Sequence, residues 1–144
     1  MLVQQILSSK SSDTVVTASP GTSITEVLGL LSEHRIGGVV VSSDGTRIDG
    51  ILSERDIVRA LAARGPSCLE QQASALMTPD PVCCTRDDTA DSVLERMTEG
   101  RFRHMPVVQD GKLAGIVTIG DVVKARLSEL SFEKTALEGM IMGH

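Results

Sequence analysis

Gly50-Ile51-Leu52-Ser53-Glu54-Arg55-Asp56-Ile57-Val58 returns later in the chain as Gly115-Ile116-Val117-Thr118-Ile119-Gly120-Asp121-Val122-Val123. The segments before them match as well: Val27-Leu28 with Val93-Leu94, Arg35 with Arg101, Val41 with Val107, Asp44-Gly45 with Asp110-Gly111. The offset is 66 residues upstream (93 − 27) and 65 downstream (115 − 50), so the turn near Thr46-Arg47 holds one extra residue. Self-similarity of this kind marks two supersecondary units that stack, and a cleft between them belongs to both.

Each copy reads as strand–helix–strand–strand–helix. In the first, Val15-Val16-Thr17 predicts a strand stopped by Pro20-Gly21. Ile24, Val27, Leu28 and Leu31 then fall at helical spacing behind Ser23-x-x-Glu26, the pattern of a capping box. Gly38 to Val41 and Ile48 to Leu52 form a hairpin around Ser43-Asp44-Gly45. Glu54 to Arg64 is a helix stopped by Gly65-Pro66. A linker with a short helix ending at Met77 follows. The order then repeats: a strand over Val82 to Cys84, a helix over Ala90 to Glu99 ended by Gly100, a hairpin of Met105–Val108 and Leu113–Val117, and a long helix from near Ile119. That last helix carries Val122, Val123, Leu127 and Leu130 at helical spacing and extends through Leu137 and Met140. Met1 to Ile6 suits a short leading helix. One unit alone is marginal in size, whereas two stacked sheet to sheet share a core. The fold class is therefore α/β (α+β), two stacked β-α-β-β-α repeats with flanking N- and C-terminal helices. The expected divisions are 1–66 (repeat one with the leading helix), 67–79 (linker), 80–126 (repeat two) and 127–144 (helical extension).

Composition removes several functions. The net charge is −5 and no Lys/Arg run exists, which argues against a phosphate-backbone partner. Phe102 and Phe132 are the only aromatic residues, too few for base-stacking platforms. No apolar run is long enough to span a membrane, and the first residues lack the pattern of a secretion signal. Cys68, Cys83 and Cys84 fit neither a zinc spacing nor a disulfide framework and suit small buried hydrophobes in a reducing cytoplasm. A vicinal redox pair at Cys83-Cys84 is the alternative. His34, His104 and His144 form no metal spacing, and no nucleophile, zinc-protease or phosphate-loop motif occurs, so no enzyme is expected.

The repeated Ser53-x-x-Asp56 and Thr118-x-x-Asp121 admit two chemical readings. A hydroxyl that ends a strand and opens a helix, with a carboxylate in the first turn, stabilises any helix as a capping box. The same helix N-terminus offers free N–H groups and positive potential to a phosphate, while a carboxylate there can accept both hydrogens of a ribose diol. On the second reading Asp56 and Asp121 hold ribose, and Ser53 and Thr118 hold phosphate. Arg103 and His104 precede the second strand of repeat two, where repeat one has Gly37 and Gly38. They are either a solvent-exposed basic pair or phosphate ligands, the forked guanidinium being well matched to that anion.

The element order, the two Gly-Ile-x-Ser/Thr-x-x-Asp segments after a hairpin and the stretch Arg103-His104-Met105-Pro106-Val107-Val108 resemble the CBS domain. The tandem copy resembles a CBS pair, or Bateman module, over roughly residues 14 to 126. With nothing else of domain size, the chain looks like a stand-alone CBS-pair protein. The resemblance implies an adenosine-bearing regulatory ligand (AMP, ADP, ATP, NAD or S-adenosylmethionine) bound between the repeats, with no obligatory cofactor. It places Val16-Thr17-Ala18 and Val82-Cys83-Cys84 on strands that line the cleft, with Ile51 and Ile116, or Ile36 and Phe102, flanking the base. It further implies a cytoplasmic homodimer that signals to an effector protein, with no nucleic acid, membrane or metal involved. A ligand-independent dimerisation scaffold is the alternative.

Overall fold

The two copies of the motif fold into two matching halves. The computed structural model describes residues 1–10 and 15–141; His144 and the parts of the expected elements over 11–14 and 142–144 lie outside them. In chain order the elements are α1 (Val3–Ser9), β1 (Thr17–Ala18), α2 (Ile24–His34), β2 (Gly38–Val41), β3 (Gly50–Ser53), α3 (Glu54–Arg64), a 3-10 turn (Pro66–Glu70), α4 (Ala73–Leu76), β4 (Thr78–Pro79), α5 (Ala90–Gly100), β5 (His104–Gln109), β6 (Lys112–Thr118) and α6 (Ile119–Ile141).

In the first half β1 runs parallel to β2, and β2–β3 and β3–β4 are antiparallel, giving the sheet order β1-β2-β3-β4. The second half has the β5-β6 hairpin, with Cys84 making a single parallel bridge to Val107. The strand expected over Val82 to Cys84 is cut to that bridge. Cys84 makes both bonds to β5, its N–H donating to Pro106 O at 3.0 Å and its carbonyl accepting from the Val108 N–H at 2.8 Å, while the Cys83 carbonyl faces away from β5 and accepts from Arg96 Nη1 at 2.9 Å. Asp110 and Gly111 both have positive φ (53° and 75°), as a two-residue hairpin turn requires. The first repeat has a longer loop at this point, where the Asp44 carboxylate accepts from the backbone N–H of Thr46 and Arg47. That loop holds the extra residue.

The matched arginines end helices. Arg35 and Arg101 adopt the left-handed conformation (φ 54° and 57°) as C-caps of α2 and α5, so Gly100 is the last helical residue and not the stop. Ser23 caps α2 by accepting from the Glu26 N–H at 3.2 Å.

The halves keep two cores where one shared core was expected. Ile24, Val27, Val39, Leu52 and Ile57 anchor the first; Val93, Met97, Met105, Val107, Val117 and Val122 anchor the second. Each needs a helix from outside its own repeat unit. Ala73 of α4 closes the first core, and Val3 and Ile6 of α1 close the second. The backbone bonds correspond: Ala73 N–H to Thr22 O (2.7 Å) and Ile24 N–H to Gln71 O (2.9 Å), against Val3 N–H to Asp88 O and Ala90 N–H to Met1 O, both 2.9 Å. The leading helix, grouped on sequence with residues 1–66, thus packs into the second half, and α1 answers α4 at an offset of 70 (73 − 3).

This docking explains the glycine that opens each motif. A Cβ on Gly50 would stand 2.5 Å from Met77 Sδ and 2.8 Å from the Thr78 carbonyl; on Gly115 it would stand 2.9 Å from Leu7 Cδ2.

Candidate functional site

β3 passes into α3, and β6 into α6, without an intervening loop, so Ser53 and Thr118 serve as both last strand residue and N-cap. The Ser53 hydroxyl oxygen accepts from the Asp56 N–H at 3.4 Å, and Asp56 Oδ2 accepts from the Ser53 N–H (2.9 Å) and hydroxyl (3.0 Å). Thr118 and Asp121 repeat the exchange at 3.1 and 3.0 Å. Both motifs are therefore reciprocal capping boxes, each worth about 1 kcal/mol to its helix. Capping uses one carboxylate oxygen and leaves the other. Among the described residues neither Asp56 Oδ1 nor Asp121 Oδ1 has a protein partner; the capping oxygen of Asp121, Oδ2, also pairs with Lys10 at 2.9 Å.

A cavity of about 280 Å³ lies between the halves at the N-terminus of α3. Ile51, Pro81, Val82 and Phe102 give it apolar walls; Ser53, Asp56, Thr78 and His104 give it polar ones. Arg55, Arg59, Arg101 and Arg103 are solvent-exposed at its rim, facing the carboxylates of Asp56 and Asp80. None of the four guanidiniums forms an ion pair among the described residues. The rim therefore presents net positive charge next to a helix N-terminus, in a protein of net charge −5.

His104 is half-buried at the junction of the halves. A Cβ on Gly38 would stand 3.1 Å from its Cδ2, and one on Gly37 3.4 Å from its Cε1. The imidazole thus occupies space that side chains at 37 and 38 would take. Desolvation pushes its pKa below the usual histidine value, while Glu54 and Asp56 pull the other way.

Of the residues singled out on sequence, the cavity gathers Ile51, Ser53, Asp56, Arg103, His104, Phe102 and Arg101. Thr118, Asp121 and Ile116 do not line it, being the matching positions of the other half. Ala18 and Cys84 are buried in the two cores, and Thr17 and Cys83 are half-buried away from this cavity. Burial raises the Cys83 thiol pKa and, against the attraction of Arg96, pushes that of Cys84 up to about 12, which suppresses the thiolate a redox pair needs. No group of three His, Cys, Asp or Glu is placed to hold a metal ion among the described residues. Val82, from a segment expected to line the cleft, does line the cavity; sequence reasoning missed Arg55, Arg59, Thr78, Asp80 and Pro81. Arg55 and Arg59 were legible: they sit one helical turn apart, beside the capping aspartate.

The family model described as CBS domain matches residues 3–63 and 73–128. A protein from Acidianus ambivalens is 34% identical over 94% of this chain and 80% of its own length. A mitochondrial CBS-domain-containing protein of Arabidopsis thaliana, CBSX3, is 32% identical over 78% of this chain, which spans 57% of that relative. Among solved structures, a CBS-domain-containing protein from Agrobacterium tumefaciens is 46% identical, covers 88% of this chain and 99% of its own, and superimposes with a TM-score of 0.83. The CBS domain pair of protein MJ0100, solved with 5′-methylthioadenosine and S-adenosylmethionine, is 27% identical (TM-score 0.78, covering 90% and 98%). CBSX2, solved with AMP, is 26% identical (TM-score 0.72, covering 88% and 97%).

Proposed function

The chain belongs to the CBS-domain family as a tandem pair, and we propose that it is a regulatory module that binds a phosphate-bearing adenosine ligand in the cavity at the start of α3. CBS pairs are in general regulatory, non-catalytic modules. One observation carries the ligand reading. A carboxylate with a free oxygen, a capping hydroxyl and four guanidiniums, unpaired among the described residues, converge on one apolar-walled cavity. Asp56 Oδ1 accepts from the ribose diol. Ser53, the α3 N-terminus, His104 and the rim arginines take phosphate oxygens. Ile51 and Phe102 flank the base. A cavity of about 280 Å³ suits a nucleoside, with phosphates extending to the rim. AMP, ADP, ATP and NAD all supply that charge. S-adenosylmethionine carries no phosphate, and with a carboxylate, an ammonium and a sulfonium its net charge is positive, which opposes the rim.

Ligand between the halves favours one arrangement of them, and an effector protein reads that arrangement. The effector interface and a homodimer are assigned to α6. Val123, Leu127, Leu130, Leu137 and Ile141 are exposed along it at alternating spacings of three, four and seven residues, with Lys134 filling the remaining seam position. No helix of the described residues is long and apolar enough to cross a membrane. The free Cys68, Cys83 and Cys84 favour the cytoplasm.

The same α6 stripe also favours the second reading, a scaffold that self-associates without ligand. Calorimetric titration of nucleotide-free protein with AMP and ATP separates the two. Saturable binding lost in Asp56→Ala supports the sensor. Flat traces from a folded, self-associated protein support the scaffold.

A further inference from the structure

We propose that α6 pairs with α6 of a second copy in the antiparallel sense, each helix laying its free end along the anchored end of the other. The proposal rests on the homodimer assigned to α6 above and adds its direction and register.

The body holds α6 only at its start. Val122 and Ala125 are buried, whereas from Leu130 to Ile141 every residue except Gly139 is exposed. This stretch lies beyond residue 128, where the CBS match ends. A free helix of this length is marginal in water and takes its stability from packing an apolar face. Leu130, Leu137 and Ile141 supply that face, continuing the exposed stripe of Val123 and Leu127. In heptad terms Val123, Leu130 and Leu137 are d positions, and Leu127, Lys134 and Ile141 are a positions.

Charge decides the direction. In a parallel pair in register, Lys134 faces Lys134 of the second copy inside the seam, and Glu133 of each helix meets Glu138 of the other. Like charges then meet in the seam and on both flanks. In the antiparallel pair Val123 faces Ile141, Leu127 faces Leu137 and Leu130 faces Lys134, each contact made twice by the two-fold axis. The Lys134 stem covers Leu130, and its ammonium turns outward to Glu138 of its own chain, 4.0 Å away. Lys124 of each copy meets Glu138 of the other, against a single like-charge contact of Glu133 with Glu133 at the axis. Sliding by one heptad leaves either Leu137 and Ile141 or Val123 and Leu127 without a partner, so the stripe itself fixes the register.

Met140, 78% exposed, favours the same direction. The antiparallel pair sets it beside Arg126 of the second copy, a residue tied to its own body through Asp91 at 2.7 Å. The parallel pair projects both helix tips away from both bodies.

The test is sedimentation equilibrium of the full chain as wild type, Lys124→Glu, Glu138→Lys and an equimolar mixture of the two variants, with circular dichroism on each. Glu138 lies on the free stretch, so its substitution leaves both cores intact. Each variant alone meets like charge at both flanking contacts, and its dimer dissociation constant is expected to rise about tenfold. The mixture restores opposite charges at both contacts and is expected to return to within about threefold of wild type. A parallel pair gives the opposite sign for Glu138→Lys, which would turn two repulsions with Glu133 into attractions. A tighter Glu138→Lys dimer would therefore overturn the proposal, as would unchanged dissociation constants in both variants, or no recovery on mixing. Each of these leaves the homodimer standing. A wild-type chain that stays monomeric at high concentration removes the homodimer and the proposal with it.

Discussion

Asp121 pairs with Lys10 at 2.9 Å, while Asp56, its counterpart in the first repeat, forms no ion pair among the described residues and faces the cavity that contains Asp80. Two near-identical sequence motifs thus differ in whether the capping carboxylate is ion-paired within the chain. The difference comes from the segments that follow α1 and α4, outside the repeated strands and helices.

The Lys10–Asp121 pair is partly buried, with side-chain exposures of 27% and 23%, and Lys10 also anchors α1 to β6. Lys10→Met is therefore expected to lower stability by about 1 kcal/mol, near the upper end for accessible ion pairs. Chemical denaturation of wild type and variant measures this. An unchanged midpoint would remove the structural role assigned to Lys10.

Ser53→Ala and Thr118→Ala each delete an N-cap, and each is expected to cost about 1 kcal/mol. Their effects on ligand should part. Ser53→Ala weakens nucleotide binding, whereas Thr118→Ala, at a residue that does not line the cavity at α3, changes stability alone. Equal effects on affinity would show that both motifs bind.

Gly50→Ala places a methyl group 2.8 Å from the Thr78 carbonyl, a backbone atom that cannot swing aside. A loss of about 1–3 kcal/mol is expected from this overpacking. Gly21→Ala, with nothing within 4 Å of the new Cβ, is the control for substituting a glycine as such. Thermal melts of the two variants give the comparison.

The His104 pKa is lowered by desolvation from the ordinary value near 6.5. Its neutral form is thus favoured in the folded, unliganded protein, so stability contributed by that form is lost as pH falls below 6.5. A bound phosphate reverses the preference by favouring the imidazolium. Nucleotide affinity is therefore expected to rise as pH falls from 7.5 through that window, with proton uptake on binding. The phosphate's own titration near pH 6 contributes as well, so the His104→Asn variant is the reference. Equal pH slopes in wild type and variant would exclude His104 from the site.

Leu130 and Leu137 are 49% and 57% exposed on the α6 stripe. If a second copy covers that stripe, the double substitution Leu130→Glu and Leu137→Glu converts dimer to monomer with the fold retained. Sedimentation equilibrium reads this directly. A wild-type protein that is already monomeric at high concentration would leave α6 to the effector.

The repeat made most of the fold legible, because Gly-Ile-x-Ser/Thr-x-x-Asp dictates a strand running straight into a capped helix wherever it occurs. Ser53, Asp56, Arg103, His104 and Phe102 were legible for the same reason. Asp80, Pro81 and Lys10 were not. They lie in connecting segments with no periodicity, and their role depends on where α4 and α1 dock, which is set by long-range contacts such as Met77 on Gly50 and Leu7 on Gly115. The strand expected at Val82 to Cys84 is cut to the single bridge at Cys84, and the Cys83 carbonyl, on the side away from β5, accepts from Arg96.

The central claim is that the cavity at the start of α3 binds a phosphate-bearing adenosine ligand through Asp56. Its most direct measurement is calorimetric titration of ATP, AMP and adenosine into nucleotide-free wild-type protein and folded Asp56→Ala. The expected result is saturable binding, tighter for the phosphorylated ligands, that weakens by about tenfold or more in the variant. Undiminished binding in Asp56→Ala, or none to the wild type at millimolar nucleotide, would contradict it.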